Sequence, residues 1–236
     1  MEVLRRAMKI MNIDDNSKRM EAFSIYRDLV LSWNEKVNLT AIKDPDEFEI
    51  KHFIDSLAAG AYPEFLKAEK IIDIGTGAGF PGLPLAICFP EKEFVLVDSL
   101  NKRIRILNDI IKALGVENAV AIHGRAEDLA LQDIHREKYD ICISRAVAHL
   151  SVLAEYCLPF VRVGGYFAAY KSEDIDAELS ESRKALHVLG GKKKDTSGVP
   201  LEDIGLNHQI LWIEKIASTP AKYPRKAGIP SKQPIK

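Results

Sequence analysis

No stretch of this 236-residue chain approaches the ~20 consecutive apolar residues that a membrane-spanning helix needs. The start, Met1 to Met11, lacks the uninterrupted apolar core of a signal peptide, because Arg5, Arg6 and Lys9 break it. The expectation is a cytoplasmic protein with no membrane partner. Cysteine is scarce: Cys88, Cys142 and Cys157 sit in apolar runs without C-x-x-C spacing. They read as small buried hydrophobes rather than a disulfide framework or a metal site. The six histidines include no H-x-x-x-H pair, so no metal centre is expected. Acidic residues are absent from Ile216 to the end, where Lys222, Arg225, Lys226, Lys232 and Lys236 stand. The net charge of −1 therefore hides an acidic body and a basic tail, which suits an anionic partner and equally a solvated terminus.

What is present is the alternation of an α/β protein. The first 60 residues read as a helical extension, with Phe23, Tyr26, Leu29, Val30 and Trp33 on one face of a helix from Lys18 to Glu35. Asp44, Pro45 and Glu47 then form a cap, first position and capping box for a second helix. Its apolar face is Ile50, Phe53, Ile54, Leu57 and Ala58, and Gly60 is its stop. Residues 61–218 carry strands at 71–74, 93–98, 119–123, 139–144, 166–170 and 210–216, with helices at 101–114, 147–161 and 175–189. Continuous apolar strands alternating with helices predict a mostly parallel sheet covered on both faces. Lys192, Lys193 and Lys194 read as a solvated turn. Residues 219–236, with Pro220, Pro224, Pro230 and Pro234, predict an extended tail laid on the surface.

The segment from Asp73 to Gly82 (DIGTGAGFPG) follows the first strand and leads into an apolar helix. Such a turn is where open α/β sheets bind nucleotide-like ligands. Gly77, Gly79 and Gly82 match the dinucleotide pattern G-x-G-x-x-G, but the match starts three residues late. Asp73 stands where it would repel a pyrophosphate, so its charge favours S-adenosylmethionine (SAM), which carries an ammonium and a sulfonium and no phosphate. Asp98 ends the second strand, where a carboxylate accepts ribose hydroxyls or caps the next helix. Ala126 and Glu127 follow the third strand, where they line an adenine pocket or begin a helix. Arg145 leaves the fourth strand, ready for a phosphate or carboxylate or for a surface ion pair. His52 reads as structural. The Asn/Asp-Pro-Pro-Tyr-like motif of amine methyltransferases is missing, and no cysteine stands at a cleft position.

Several segments together resemble one family. They are Asn38-Leu39-Thr40-Ala41-Ile42, His52-Phe53-Ile54-Asp55-Ser56-Leu57, the glycine loop, and Val97-Asp98-Ser99-Leu100-Asn101-Lys102-Arg103. Gly124-Arg125-Ala126-Glu127, Ser144-Arg145-Ala146-Val147 and Tyr223-Pro224-Arg225-Lys226-Ala227-Gly228-Ile229-Pro230 complete the set. They are similar to the ribosomal RNA small subunit methyltransferase G family, also called glucose-inhibited division protein B, over nearly the whole chain. The resemblance implies a class I, SAM-dependent, Rossmann-like methyltransferase with a seven-stranded, mostly parallel sheet. It implies transfer to N7 of one guanine in 16S ribosomal RNA by a monomer, with no role for DNA. By the same resemblance SAM contacts Gly75, Phe80, Ala126, Glu127 and Arg145, while Asp73, Gly77, Gly79 and Asp98 join the pocket on the reasoning above. Guanine N7 carries a free lone pair and no proton, which fits a cleft without an acid–base set. Arg5, Arg6, Lys9, Lys192 to Lys194, Lys222, Arg225, Lys226 and Lys232 are the candidate RNA contacts. Rival readings are a small-molecule methyltransferase, a non-catalytic RNA-binding module and, least favoured by Asp73, a nicotinamide oxidoreductase.

Overall fold

The computed structural model describes residues 1–145, 148–171, 175–198 and 208–236. Apolar runs such as Phe94 to Val97 and Ile141 to Ile143 bury both faces of a strand, which places them in the middle of a helix-covered sheet. Seven strands form that sheet: β1 (Lys70–Ile74), β2 (Glu93–Asp98), β3 (Ala119–His123), β4 (Tyr139–Arg145), β5 (Val161–Lys171), β6 (Gly191–Gly198) and β7 (Gln209–Lys215). Their order is β3-β2-β1-β4-β5-β7-β6. The pairs from β3 to β5 are parallel, and β7 runs antiparallel to both β5 and β6. Strand order reverses between β1 and β4, so the loops leaving these two strands part and open a crevice at their carboxyl ends.

The N-terminal helices cover one face of the sheet. Leu4, Phe23, Tyr26 and Phe53 share a continuous core with Ile71, Leu96 and Ile141, while Ile72, Cys142, Leu153, Phe167 and Leu211 belong to the core of the opposite face. Helix Ser17–Asn34 is capped by Asn16, whose Oδ1 accepts the Arg19 N–H at 3.0 Å. Asp44 Oδ1 caps the next helical run by accepting the N–H groups of Asp46 and Glu47. The expected capping box is replaced by an ion pair, with the Glu47 carboxylate 2.6 Å from Lys51 Nζ. Helix Asn101–Leu114 has the predicted bounds, and Gly115 closes it at φ 63°.

Four expectations need correction. The strand after the double glycine begins at Val161 and takes in Gly164 and Gly165, because Tyr139 pairs with Val161 across an irregularity in the β4–β5 ladder. The preceding helix is Leu150–Cys157 with a short turn Leu158–Phe160; Val147, the start of the predicted helix, lies outside the described residues. Lys192 to Lys194 lie on β6 rather than in a turn. That strand pairs with β7 and exposes all three lysines, a composition that protects a sheet edge. The tail is not wholly extended: Ile229–Lys232 forms one helical turn, with Pro230 in the first turn where its missing N–H is tolerated. Among the described residues no helix is long and apolar enough to cross a membrane.

Candidate functional site

The chain leaves β1 and turns at once, because the N–H groups of Gly75 and Thr76 both reach back to the Val97 carbonyl at 2.9 Å. Gly75, Gly77 and Gly79 hold φ of 79°, 61° and 107°, values that a side chain disfavours. Asp73 is fully buried beneath this loop. Its Oδ2 accepts the Thr76 hydroxyl at 2.7 Å and the Gly82 N–H at 2.9 Å, and so ties the two ends of the loop together. Burial pushes its pKa up to about 7, against the pull of those two hydrogen bonds. The expectation that Asp73 faces the ligand and repels phosphate is therefore replaced: it is a brace under the loop.

Two further loop residues point to the N-terminal helices. A Cβ at Gly79 would stand 2.5 Å from the Tyr26 hydroxyl and 2.9 Å from Leu107 Cδ1. The close approach that requires glycine there is to protein. Tyr26 also donates to the Ala78 carbonyl at 2.7 Å. The Phe80 ring is stacked on His52, with centroids 4.5 Å apart and planes 5° from parallel, and lies 5.3 Å from Tyr26.

Four of the predicted residues meet in a cleft of about 130 Å³ at the ends of β1, β2 and β3. Gly75, Asp98, Ala126 and Glu127 line it, with Tyr156 from the Leu150–Cys157 helix as an aromatic wall. Asp98 Oδ2 accepts the Gly77 N–H at 3.0 Å, Oδ1 accepts the Leu100 N–H at 2.8 Å, and Arg103 lies 3.6 Å away. Ala126 and Glu127 open the short helix Ala126–Leu129 and also line the cleft. A larger groove of about 750 Å³ runs along the corner from Asn34 to Lys43 and meets this region through Arg103. The smaller cleft is the one with the chemistry of a nucleoside site. A strand-end carboxylate, a flat aromatic wall and a helix-starting N–H at Ala126 suit a ribose and a base. A cofactor of the SAM type fits this donor set.

Arg145 is occupied elsewhere. One guanidinium nitrogen lies 2.7 Å from Asp55 Oδ2 and 3.0 Å from the Lys51 carbonyl, and the other is 3.2 Å from His52 Nδ1. The group also lies 5.4 Å from the Phe80 ring centroid. It makes an ion pair, as one reading expected, but a buried one, and its fork is not open to a second carboxylate or phosphate. Arginine cannot accept, so His52 Nδ1 must, and the proton sits on Nε2, 2.7 Å from Thr40 Oγ1. Burial first, then the Arg145 charge, lowers the His52 pKa to about 3, so the ring is neutral. Burial also raises the Asp55 pKa, but the hydrogen bond from His208 and the charge of Arg145 outweigh it and hold the carboxyl below its usual range.

The candidate RNA contacts do not form one surface cluster by pairing. Arg5 and Lys9 flank Asp15 at 3.0 and 3.8 Å, and Arg6 is exposed on the same helix, Glu2–Ile10. Lys222, Lys226 and Lys232 are exposed. Arg225 is the correction. Its guanidinium grips Glu155, a fully buried carboxylate, at 2.6 Å, and is part of the protein's own packing. Sequence reasoning missed Tyr26, Asp55, Tyr156 and His208. A carboxylate between Ile54 and Leu57 in an otherwise apolar helix was the only available signal, and it pointed to Asp55.

A family model described as rRNA small subunit methyltransferase G matches residues 19–204. Over 235 residues the chain is 46% identical to ribosomal RNA small subunit methyltransferase G of Clostridium tetani, covering 100% of this chain and 98% of that one. It is 49% identical over 226 residues to the same protein of Alkaliphilus metalliredigens, covering 95% and 93%. A solved structure of a mutant of MtNAS is similar in fold, with TM-score 0.55 at 15% identity, over 92% of this chain and 88% of that one. The extent of the family match, and relatives this similar over their full length, show that the chain belongs to the rRNA small subunit methyltransferase G family.

Proposed function

We propose that this chain is a SAM-dependent methyltransferase that modifies N7 of a guanine in the 16S RNA of the small ribosomal subunit. The family supports methyl transfer to small-subunit RNA. The observation that carries the cofactor reading is the cleft in which Asp98, Gly75, Ala126, Glu127 and Tyr156 meet. In this reading Asp98 accepts the ribose hydroxyls, already oriented by the Gly77 and Leu100 N–H groups. The Ala126 N–H and the Glu127 carboxylate read the base edge, and Tyr156 covers its face. Gly75 lets the backbone approach the rest of the cofactor, and Asp73 and Tyr26 keep the loop in shape from behind.

Held by Gly75, Asp98, Ala126 and Glu127, SAM would supply a sulfonium-bound methyl to the N7 lone pair, with the electron pair of the broken C–S bond left on sulfur. No proton leaves N7, so the protein needs no general base, and its task is to place the acceptor in line. His52 is neutral and hydrogen-bonded on both ring nitrogens, which suits a scaffold rather than a proton shuttle. The exposed lysines of the tail and of β6 suit phosphate contacts that position RNA without reading it. The same reading makes the enzyme a cytoplasmic monomer whose partner is the ribosomal subunit, not DNA or a membrane.

The test is transfer of labelled methyl from SAM to 16S RNA or small subunits that lack the mark, followed by identification of the modified nucleoside. Product at guanine N7 is expected; SAM binding without transfer to any of these RNAs overturns the reading. Asp98→Ala is expected to weaken SAM binding by about a hundredfold, the scale of losing hydrogen bonds to a charged group, and to leave RNA binding intact. Equal losses of both would assign Asp98 to structure alone.

A further inference from the structure

The C-terminal tail does more than cover the surface. Glu127 lies on one wall of the cleft and is 5% exposed, and its Oε1 accepts the main-chain N–H of Gly228 at 3.0 Å. Three residues upstream, Arg225 encloses Glu155. Its main-chain N–H and Nε reach Oε1 at 2.8 and 2.9 Å, and Nη2 reaches Oε2 at 2.6 Å. Glu155 is followed directly by Tyr156, which also lines the cleft, and the Ser231 hydroxyl donates back to the Gly228 carbonyl at 3.1 Å. Four consecutive positions, 225 to 228, therefore hold Glu127 and the residue next to Tyr156, both at the same cleft. The strap is anchored upstream by Arg136, which donates to the carbonyls of Thr219 at 2.8 Å and Tyr223 at 2.9 Å.

The chemistry of the strap is directional. Both carboxylates it engages are buried, and a buried carboxylate requires donors. The tail has no acidic residue to compete for them. Gly228 stands at φ 82°, and a Cβ there would meet no atom within 4 Å. Its glycine is thus demanded by the backbone angle that aims the N–H at Glu127, not by crowding.

We propose that Arg225 to Gly228 is a cofactor-positioning strap, which sets the orientation of Glu127 and, through Glu155, of the neighbouring Tyr156, and so the grip on the adenine of the cofactor. The proposal rests on the assignment of Ala126 and Glu127 to the adenine. Arg225 and Gly228 are positioning residues: they act through Glu155 and Glu127 and touch neither cofactor nor RNA. A segment read from its charge as an RNA contact becomes, in its central part, a component of the nucleoside site.

The experiment uses the full-length protein and two probes, SAM and adenosine, titrated calorimetrically. Arg225→Ala and Gly228→Ala are each expected to weaken both probes by the same factor, about tenfold, the scale of one hydrogen bond to a charged group. Arg225→Lys recovers part of the loss. In turnover, KM for SAM rises while kcat at saturating SAM holds. A strap that only stabilises the fold would lower the melting temperature and leave adenosine affinity unchanged in the folded variants, which overturns the proposal. If a variant fails to fold, hydrogen exchange in the wild type decides: adenosine must slow exchange at Gly228, and unchanged exchange overturns the strap. Asp98→Ala separates the two readings. Loss of adenosine binding in that variant alone rejects the strap and keeps the site; no loss in any variant rejects the site itself.

Discussion

The two ends of the chain hold the two sides of the strand-end crevice, and they do so with different chemistry. The N-terminal helices grip the glycine loop through rings, with Tyr26, His52 and Phe53 around Phe80, and through the buried pair of Asp55 and Arg145. The C-terminal tail grips the Glu127 side of the cleft with hydrogen bonds from Gly228 and Arg225 to two carboxylates. Stacked rings resist displacement in all directions and make a rigid backing. Hydrogen bonds to carboxylates fix direction and set where particular groups point. The first bracket is therefore built for stability and the second for alignment, and variants in each should separate along that line.

The largest effect is expected from Asp55→Ala. It leaves Arg145 buried without its carboxylate, at a cost of about 3 kcal/mol, the lower end for breaking a buried pair. Urea unfolding should show that loss, while adenosine affinity in the folded variant stays at the wild-type value. Equal damage to stability and adenosine binding would mean that the two brackets are one unit.

A smaller effect concerns Asp73, whose native pKa of about 7 lies above the ordinary value of 3.8. The folded state thus binds this proton more tightly than the unfolded chain does. Its contribution is fully present below the unfolded pKa and is lost as pH rises through the native one. Wild-type unfolding free energy should fall by about 2 kcal/mol from this group between roughly pH 5 and pH 8. Asp73→Asn removes that slope, so the deficit of the variant relative to wild type shrinks as pH rises. A deficit that is constant with pH would place the titration elsewhere.

The smallest is Tyr26→Phe, which deletes the bond to the Ala78 carbonyl and keeps the ring. About 1 kcal/mol of stability should be lost, from an unpaired buried acceptor. Chemical denaturation measures it, and SAM affinity should change little, because the loop remains braced by Asp73 from beneath. A large loss of SAM affinity would show that the N-terminal bracket also aligns the cofactor.

Some of this was legible from residue order alone. The edge strand β3 is legible from its Val120 and Ile122. Strands β1, β2, β4, β5 and β7 announce themselves as apolar runs, since a strand largely buried on both faces has little polar side to show. Strand β6 does not, because an edge strand of lysines and small polar residues has the composition of a loop. Gly75, Asp98, Ala126 and Glu127 were legible as a cleft because a parallel sheet places the residue after each strand at one edge. The partner of Arg145 was not, for Asp55 lies 90 positions away, and neither was that of Arg225, 70 positions from Glu155. Both arginines could be seen as charges, but a charge does not reveal whether its partner is inside the molecule or outside it.

The sequence by itself determined six of the seven strands, the glycine loop, the strand-end carboxylate and the family, since each is a local pattern or an ordered set of local patterns. Tertiary structure alone decided what Asp73, Phe80, Arg145 and Arg225 do. Their roles depend on which groups burial brings within hydrogen-bonding distance, and that depends on helices and a tail folding back from opposite ends of the chain.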